Sequence, residues 1–379
     1  MQETILTNAL LVLPDTVLHG TIVLRDGLIA DIQPGRSGLA AAQDLEGDHL
    51  IPGVVDLHTD NLERQVLPRS NARWPSRSAL LAHDQQCAVA GVTTVFDALC
   101  VGDLGYDPGR DQTFRDGVAD LEAMVPTGLL KSEHVLHLRC ELPATNMIEG
   151  VELAADHPLV RMVSLMDHSP GHGQYNDLDR YRAMRLKQTN MSVAEVEARM
   201  QELIDRRAQL REPQRRWLLE RIAHRDLPLA SHDDDDPAEV ARNAADGIRI
   251  SEFPVKLIAA EAARELGVDI IAGAPNIVRG GSHSGNLAVA DLTRARLVDA
   301  LASDYVPAAM VEAAWRAVEA AGISLPDAVA MITAAPARMA RMQDRGRLAP
   351  GLRADLVRVR AHEGMAVVRS VWRGGARVA

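Results

Sequence analysis

Histidines and carboxylates in this 379-residue chain collect in short apolar segments instead of scattering along it. In VVDLHTD (54–60) the residues Asp56, His58 and Asp60 recur at a spacing of two. An extended strand would put them on one face and Val55 and Leu57 on the other. HLRCE (137–141) sets out His137, Arg139 and Glu141 in the same way. RMVSLMDH (161–168) ends in Asp167-His168, LPLASHD (227–233) in His232-Asp233, and LVDALASDYV (297–306) carries Ser303-Asp304. One His-x-Asp is a weak signal, because a hydrogen-bonded strand end looks the same. Five apolar segments that each deliver a His or an acid near the C-terminal end are a stronger one. Imidazole with carboxylate suits Zn²⁺, Mn²⁺ or Fe²⁺ and is a poor set for Mg²⁺ alone.

Such residues need a frame that brings strand ends together. Between the segments named above, and with VTTVFDA (92–98), ISEFP (250–254) and VDIIAGAP (268–275), the sequence is helical in period, as in SRSALLAHDQQCAVAG and PVKLIAAEAARELG. Strand alternating with helix predicts βα units and a parallel sheet. About eight such units fit a closed (β/α)₈ barrel, whose catalytic groups sit at the C-terminal ends of the strands. Both chain ends read differently: Asp26-Gly27 and Glu363-Gly364 punctuate β-branched runs as hairpin turns. The expected organisation is an α/β TIM-type barrel over 53–344 and a small β-sandwich domain formed by residues 1–52 and 345–379. A charged, helical insertion around 175–225 interrupts the barrel; it reads as a solvated excursion or as a basic lid over an anionic substrate.

Composition narrows the function. Hydrophobic residues make up 47% and charged residues 25%, an ordinary globular balance. The formal charge of −11 argues against a nucleic-acid partner, which needs a basic footprint. No apolar run reaches the ~20 residues of a membrane span, and the N-terminus lacks the basic start of a signal peptide. Three cysteines, Cys87, Cys100 and Cys140, cannot all pair. These features predict a cytoplasmic protein without a membrane or nucleic-acid partner, its oligomeric state left open.

IPGVVDLHTD after a β-rich start, His168 and His232 on later strands, Asp304 on the last, and GRLAPGLRADLVRV near the end together resemble the amidohydrolase superfamily over essentially the whole chain. Within it, HTDNLE (58–63), HLRCE, GGSHSGN (280–286) and SDYVP (303–307) are most similar to a phosphonate-pathway branch that releases pyrophosphate from a sugar 5-triphosphate. The resemblance implies a metal-dependent barrel holding two divalent ions, Zn²⁺ first and Mn²⁺ or Fe²⁺ as alternatives. Its ligands would be His58, Asp60, Glu141, His168 and His232. Asp60 is a departure, since most members have His there, and Glu141 falls where others use a carboxylated Lys, with Lys131 and His137 as rivals for that place. Asp304 matches the acid that handles the proton of the attacking water.

The substrate is expected to be an anionic small molecule. Arg139 on the inward face, Arg64 after the first barrel strand, and Arg279 and His283 in the loop IVRGGSHSGN (277–286) are its candidate contacts. Gly280-Gly281 and Gly285 in that loop could turn backbone amides toward a phosphate. His172 is either a substrate contact or a loop residue. The run Asp233–Asp236 before Pro237 reads as the start of a helix, with Asp233 a neighbour of the metal ligands. Two rival functions share the frame: hydrolysis or deamination of a cyclic amide or base, and a non-enzymatic metal-binding barrel.

Overall fold

All eight apolar segments of the central region are strands, and helix-bearing connections run between them. The structure is a computed structural model that describes residues 3–69, 72–105, 109–281 and 287–379. The chain begins with β1 (Glu3–Val12), β2 (Val17–Arg25), β3 (Leu28–Pro34), β4 (Gln43–Asp44) and β5 (His49–Pro52). The central strands are β6 (Val54–Thr59), β7 (Val92–Val101), β8 (Glu133–Glu141), β9 (Val160–Met166), β10 (Leu229–His232), β11 (Ile250–Glu252), β12 (Asp269–Gly273) and β13 (Ala300–Ala302). It ends with β14 (Leu356–His362), β15 (Met365–Arg373) and β16 (Ala376–Arg377).

Strands β6 to β13 pair in sequence order, each parallel to the next. A parallel bridge between Thr59 and Asp304 joins the last strand to the first. The result is a closed barrel. Val55, Leu57, Phe96, Val135, Met162, Ala230, Ile250, Ile271, Ala300 and Ala302 fill its interior. Val55 and Leu57 were expected on the face opposite His58. Register shifts in β6, between Val54 and Val55 and between Asp56 and Thr59, break the strict alternation and let Leu57 and His58 both reach the interior.

Outside lie α1 (Asn61–Val66), α2 (Ser76–Val89), α3 (Arg110–Met124) and α4 (Met147–Ala154). After β9 come α5 (Leu178–Gln188) and the 30-residue α6 (Val193–Ile222), which together make up the expected insertion. The ring continues with α7 (Pro237–Ala245), α8 (Leu257–Glu265), α9 (Ala274–Arg279), α10 (Val289–Arg294), α11 (Ala309–Ala321), α12 (Leu325–Ala330) and α13 (Ala334–Met339). Ser192 and Glu195 form a reciprocal cap on α6, and Asp177 caps α5. Ala337, Met339, Ala340 and Met342, in and after α13, belong to the interior cluster together with Val55 and Ala300.

Both chain ends contribute to one mixed sheet, in the order β16-β15-β14-β5-β1-β2-β3, with β4 paired to β1. Leu6, Ile22, Ile29, Leu50, Leu356 and Trp372 from its strands form a common core. The sheet meets the barrel at Gly53. A Cβ there would lie 2.2 Å from Thr93 Oγ1 and 2.7 Å from Asp355 Cβ, so the position admits no larger residue. No helix among the described residues is long and apolar enough to cross a membrane. All three cysteines are free and buried.

Candidate metal centre at the barrel mouth

Three barrel strands end in the same unusual way. Asp233, Phe253 and Asp304, one or two residues past the ends of β10, β11 and β13, are in the left-handed region at φ 56°, 55° and 56°. Each kink residue donates its backbone N–H to a carbonyl on another barrel strand: Asp233 to Glu252 at 2.8 Å, Phe253 to Ile271 at 2.8 Å, and Asp304 to His58 at 3.0 Å. A left-handed non-glycine residue is costly, and such strain is held where a fixed surround over-determines it. Here the kinks turn the chain at the strand ends while keeping it tied to the sheet. Asp60 N donates in turn to the Asp304 carbonyl at 2.5 Å. The seam that closes the barrel therefore sets Asp60 and Asp304 beside His58.

Around that seam the histidines and acids meet. His58 Nδ1 is 3.1 Å from Glu252 Oε1, and its Nε2 is 3.6 Å from Asp60 Oδ1. The His232 ring centroid is 5.5 Å from that of His58 and 5.4 Å from that of His168. Asp233 Oδ2 is 3.4 Å from His232 Nδ1 and 3.7 Å from His168 Nε2. Three sets of donor atoms lie close enough to share a cation: His58, His232 and Glu252; His168, His232 and Asp233; and His58, Asp60 and Asp304.

Satisfaction of the donor atoms tests whether a cation fits. His58 Nε2, both ring nitrogens of His232, Asp233 Oδ2 and Glu252 Oε2 are buried and make no hydrogen bond. Buried polar atoms ordinarily find partners, and leaving one without costs about 1–3 kcal/mol. These five orphaned atoms of ligand chemistry belong to the two donor sets that share His232, and such sets fit divalent ions. Electrostatics agrees with a site of concentrated negative charge. Burial works against a charged His58, yet the Glu252 and Asp60 carboxylates together outweigh it and push the imidazole up to about 10. Burial also works against the charge of Glu252, which His58 nevertheless holds down to about 2. Burial, and then the Asp60 carboxylate, raise Asp304 well above the ordinary acid range.

The remaining expected residues fall into distinct places. Both Glu141 oxygens face His168: Oε1 accepts its backbone N–H at 2.8 Å and Oε2 is 2.6 Å from Nδ1. That arrangement fixes the ring with Nε2 directed at the cluster, as carboxylates behind ligand histidines do. His137 is committed to the Leu57 carbonyl at 3.0 Å and Ser164 Oγ at 2.9 Å, and burial lowers it to about 4. Lys131 Nζ donates to the Val378 carbonyl, at the opposite end of β8 from Glu141. Arg139 is buried and paired with Asp60. Arg279 stands at the exposed end of α9 and lines the cleft. Arg64 is exposed and donates to the Tyr305 carbonyl at 2.6 Å. His172 is half-buried in the turn after His168 and is not among the residues lining the cleft. His283, with the second half of its glycine loop, lies outside the described residues.

The cleft above the cluster measures about 280 Å³. Asp60, Arg139, His232, Asp233 and Asp304 line one part of it, and Phe253, Val255, Asn276, Arg279 and Leu287 another. Glu252 is the residue the sequence reading missed. It ends a three-residue strand, and the shared habit of the other strands, an acid or His at the C-terminal end, is the signal that points to it. Asp233 is more than a helix-start residue, because its carboxylate faces two histidines.

No family model matches the chain. It is 38% identical over 376 residues to the alpha-D-ribose 1-methylphosphonate 5-triphosphate diphosphatase of Escherichia coli (strain K12), covering 99% of this chain and 100% of that one. Among solved structures it is similar to an N-acetylglucosamine-6-phosphate deacetylase from Pasteurella multocida, with a TM-score of 0.64 at 12% identity over 99% of both chains. It is also similar to a protein described as an amidohydrolase, with a TM-score of 0.60 at 16% identity over 99% of this chain and 98% of the other. At these identities the two structures speak for the fold.

Proposed function

The chain belongs to the alpha-D-ribose 1-methylphosphonate 5-triphosphate diphosphatase family and has the amidohydrolase superfamily fold, and from that premise we propose that it hydrolyses this ribose triphosphate to the 5-phosphate and pyrophosphate. The observation that carries the reading is the set of five orphaned ligand atoms at the mouth of a barrel whose sequence aligns with that relative from end to end. His58, His168, His232, Asp233 and Glu252 would hold two divalent ions, with Zn²⁺ the first to test. Asp60 and Asp304 would stand over them. Bound there, such ions lower the pKa of a coordinated water from 15.7 to about 7 and draw charge from phosphoryl oxygens.

The chain's own groups do the rest. Asp304 takes the proton of the attacking water and passes it toward the departing pyrophosphate, while the bond between the first and second phosphoryl groups breaks. Arg139 holds Asp60 in place through their ion pair and presents the remainder of its charge to the cleft. Arg279 meets an anionic end of the substrate at the rim. Glu141 keeps the His168 ring oriented. Incubating the metal-loaded protein with the ribose triphosphate and reading products by phosphorus NMR tests the proposal. Pyrophosphate and the 5-phosphate are expected; orthophosphate as the first product, or no turnover, contradicts it.

A further inference from the structure

The insertion after β9 carries many arginines, and its inward side chains are committed to the barrel, not to the cleft. Gln214 Nε2 donates to the carbonyls of Leu142 and Ala144 beyond β8, at 2.8 and 2.9 Å. Arg215 reaches Asp246 at 2.5 Å and Asn243 at 2.9 Å. Arg221 pairs with Glu152 and Asp156. The contact nearest the metal cluster is different in kind. Arg207 Nε and Arg211 Nε, one helical turn apart on α6, both donate to Asp167 Oδ2, at 2.6 and 3.0 Å. The other oxygen, Oδ1, accepts from Ser169 N at 3.2 Å.

His168 sits inside that turn. The residue before it is clamped to α6, and the Asp167–Ser169 bond closes the backbone around it. From the far side of the loop the Tyr175 ring meets His168 edge-on at 5.9 Å, and Arg185 of α5 lies over Tyr175 at 5.7 Å from its centroid. Both helices of the insertion therefore grip the one loop that carries His168.

We infer that the α5–α6 insertion is a positioning device for His168, acting through the Arg207–Asp167–Arg211 clamp, and not a lid that binds substrate. The inference rests on the reading of His168 as a metal ligand. Asp167 and the two arginines touch no reacting atom; they are positioning residues. Glu141 alone would hold the His168 ring and its N–H, but the turn that carries them would lose its tie to α6 through Asp167. Groups behind metal ligands typically change metal affinity or activity by 10–100-fold when removed.

The test compares Asp167→Asn, Arg207→Met, Arg207→Lys and His168→Ala in the full chain. Zn²⁺ content after dialysis is measured by elemental analysis, affinity by chelator competition, and turnover as separate kcat and KM. His168→Ala should lose one ion per chain. Asp167→Asn and Arg207→Met should weaken that same ion by roughly 10–100-fold and lower kcat, with KM for the triphosphate nearly unchanged. Arg207→Lys, which keeps a cation facing Asp167, should recover a good part of the loss. Wild-type metal affinity in both Asp167→Asn and Arg207→Met, with His168→Ala defective, overturns the clamp and leaves the metal reading standing. A rise in KM with unchanged metal content also overturns it, in favour of a lid. Full metal content in His168→Ala overturns the ligand reading and the inference with it.

Discussion

The same barrel holds two histidine–carboxylate clusters, and they differ in one respect that separates chemistry from architecture. Beneath α2, on the outer side of β7 and β8, Asp97 bridges two histidines. Its Oδ1 is 2.7 Å from His83 Nε2 and its Oδ2 is 2.8 Å from His134 Nδ1. The chain of bonds continues on both sides. Asn61 Nδ2 donates to His83 Nδ1 at 2.9 Å, and His134 Nε2 is 3.2 Å from Asp84 Oδ1, whose carboxylate also accepts from the backbone of Lys131 and Ser132. His83, Asp97 and His134 are close enough to share a cation, as are the groups at the mouth. Yet none of their polar atoms is among the buried atoms without a hydrogen bond, whereas five at the mouth are. The composition of a cluster does not distinguish a ligand set from a structural network. The satisfaction of its atoms does.

The largest effect that can break this comparison is His232→Ala. His232 belongs to two of the three donor sets at the mouth and both its ring nitrogens are orphaned. Bound metal and turnover should both be lost, while the melting temperature of the metal-free protein stays near that of the metal-free wild type. A large drop in the metal-free melting temperature would mean that His232 is as structural as His134.

Asp304→Asn comes next. Its backbone closes the seam, and Asn keeps that backbone and the side-chain shape. Metal content should persist and kcat should fall by ~10²–10⁴-fold, the usual contribution of a general acid–base group. An unchanged kcat with a raised KM would move Asp304 from proton transfer to substrate binding.

For the structural cluster the outcome should invert. Asp97→Asn removes the charge between two buried imidazoles, and breaking a buried pair in this way costs about 3–5 kcal/mol. Urea titration should show that loss, with metal content per folded chain unchanged. Loss of metal from the folded variant would make the two clusters alike.

The smallest effect is a pH dependence of stability. Burial works against a charged His134, yet the Asp97 and Asp84 carboxylates together raise it to about 9. Its folded value thus lies above the ordinary 6.5. Its contribution is fully present below pH 6.5 and is lost as pH rises through 9. Asp97 is held down to about 2 against its own burial, with His134 the main cause. The acid limb of the same pair is therefore present above about pH 3.9 and is lost as pH falls through 2. Unfolding free energies of metal-free protein from denaturant titrations at pH 6 to 10 should fall over the upper window, on the order of a few kcal/mol, and the fall should be smaller in Asp97→Asn, where Asp84 still faces His134 and His58 still titrates.

Much of this was legible in the sequence, for a physical reason. A parallel barrel puts all C-terminal strand ends at one mouth, so a His or acid at each end must converge whatever the details of packing. His58, His168 and His232 follow from that rule. The alternation that was to place Asp56 with His58 failed, because register shifts in β6 leave no trace in residue type. Glu252 escaped notice because a three-residue strand shows too little periodicity to mark its end. The role of Glu141 depends on which side of its strand end His168 approaches, a tertiary fact. Equally, His83 and His134 look like ligands in composition, and only their partners Asn61 on α1, Asp84 on α2 and Asp97 on β7 show them to be satisfied.

The most direct test of that distinction is an anomalous difference map, recorded at the zinc absorption edge, from crystals of the Zn²⁺-loaded protein. The expected result is density among His58, His168, His232, Asp233 and Glu252, with ligand distances of about 2.0–2.2 Å, and none at His83, Asp97 and His134. Density in the cluster beneath α2, or a bare mouth at full zinc loading, would contradict it.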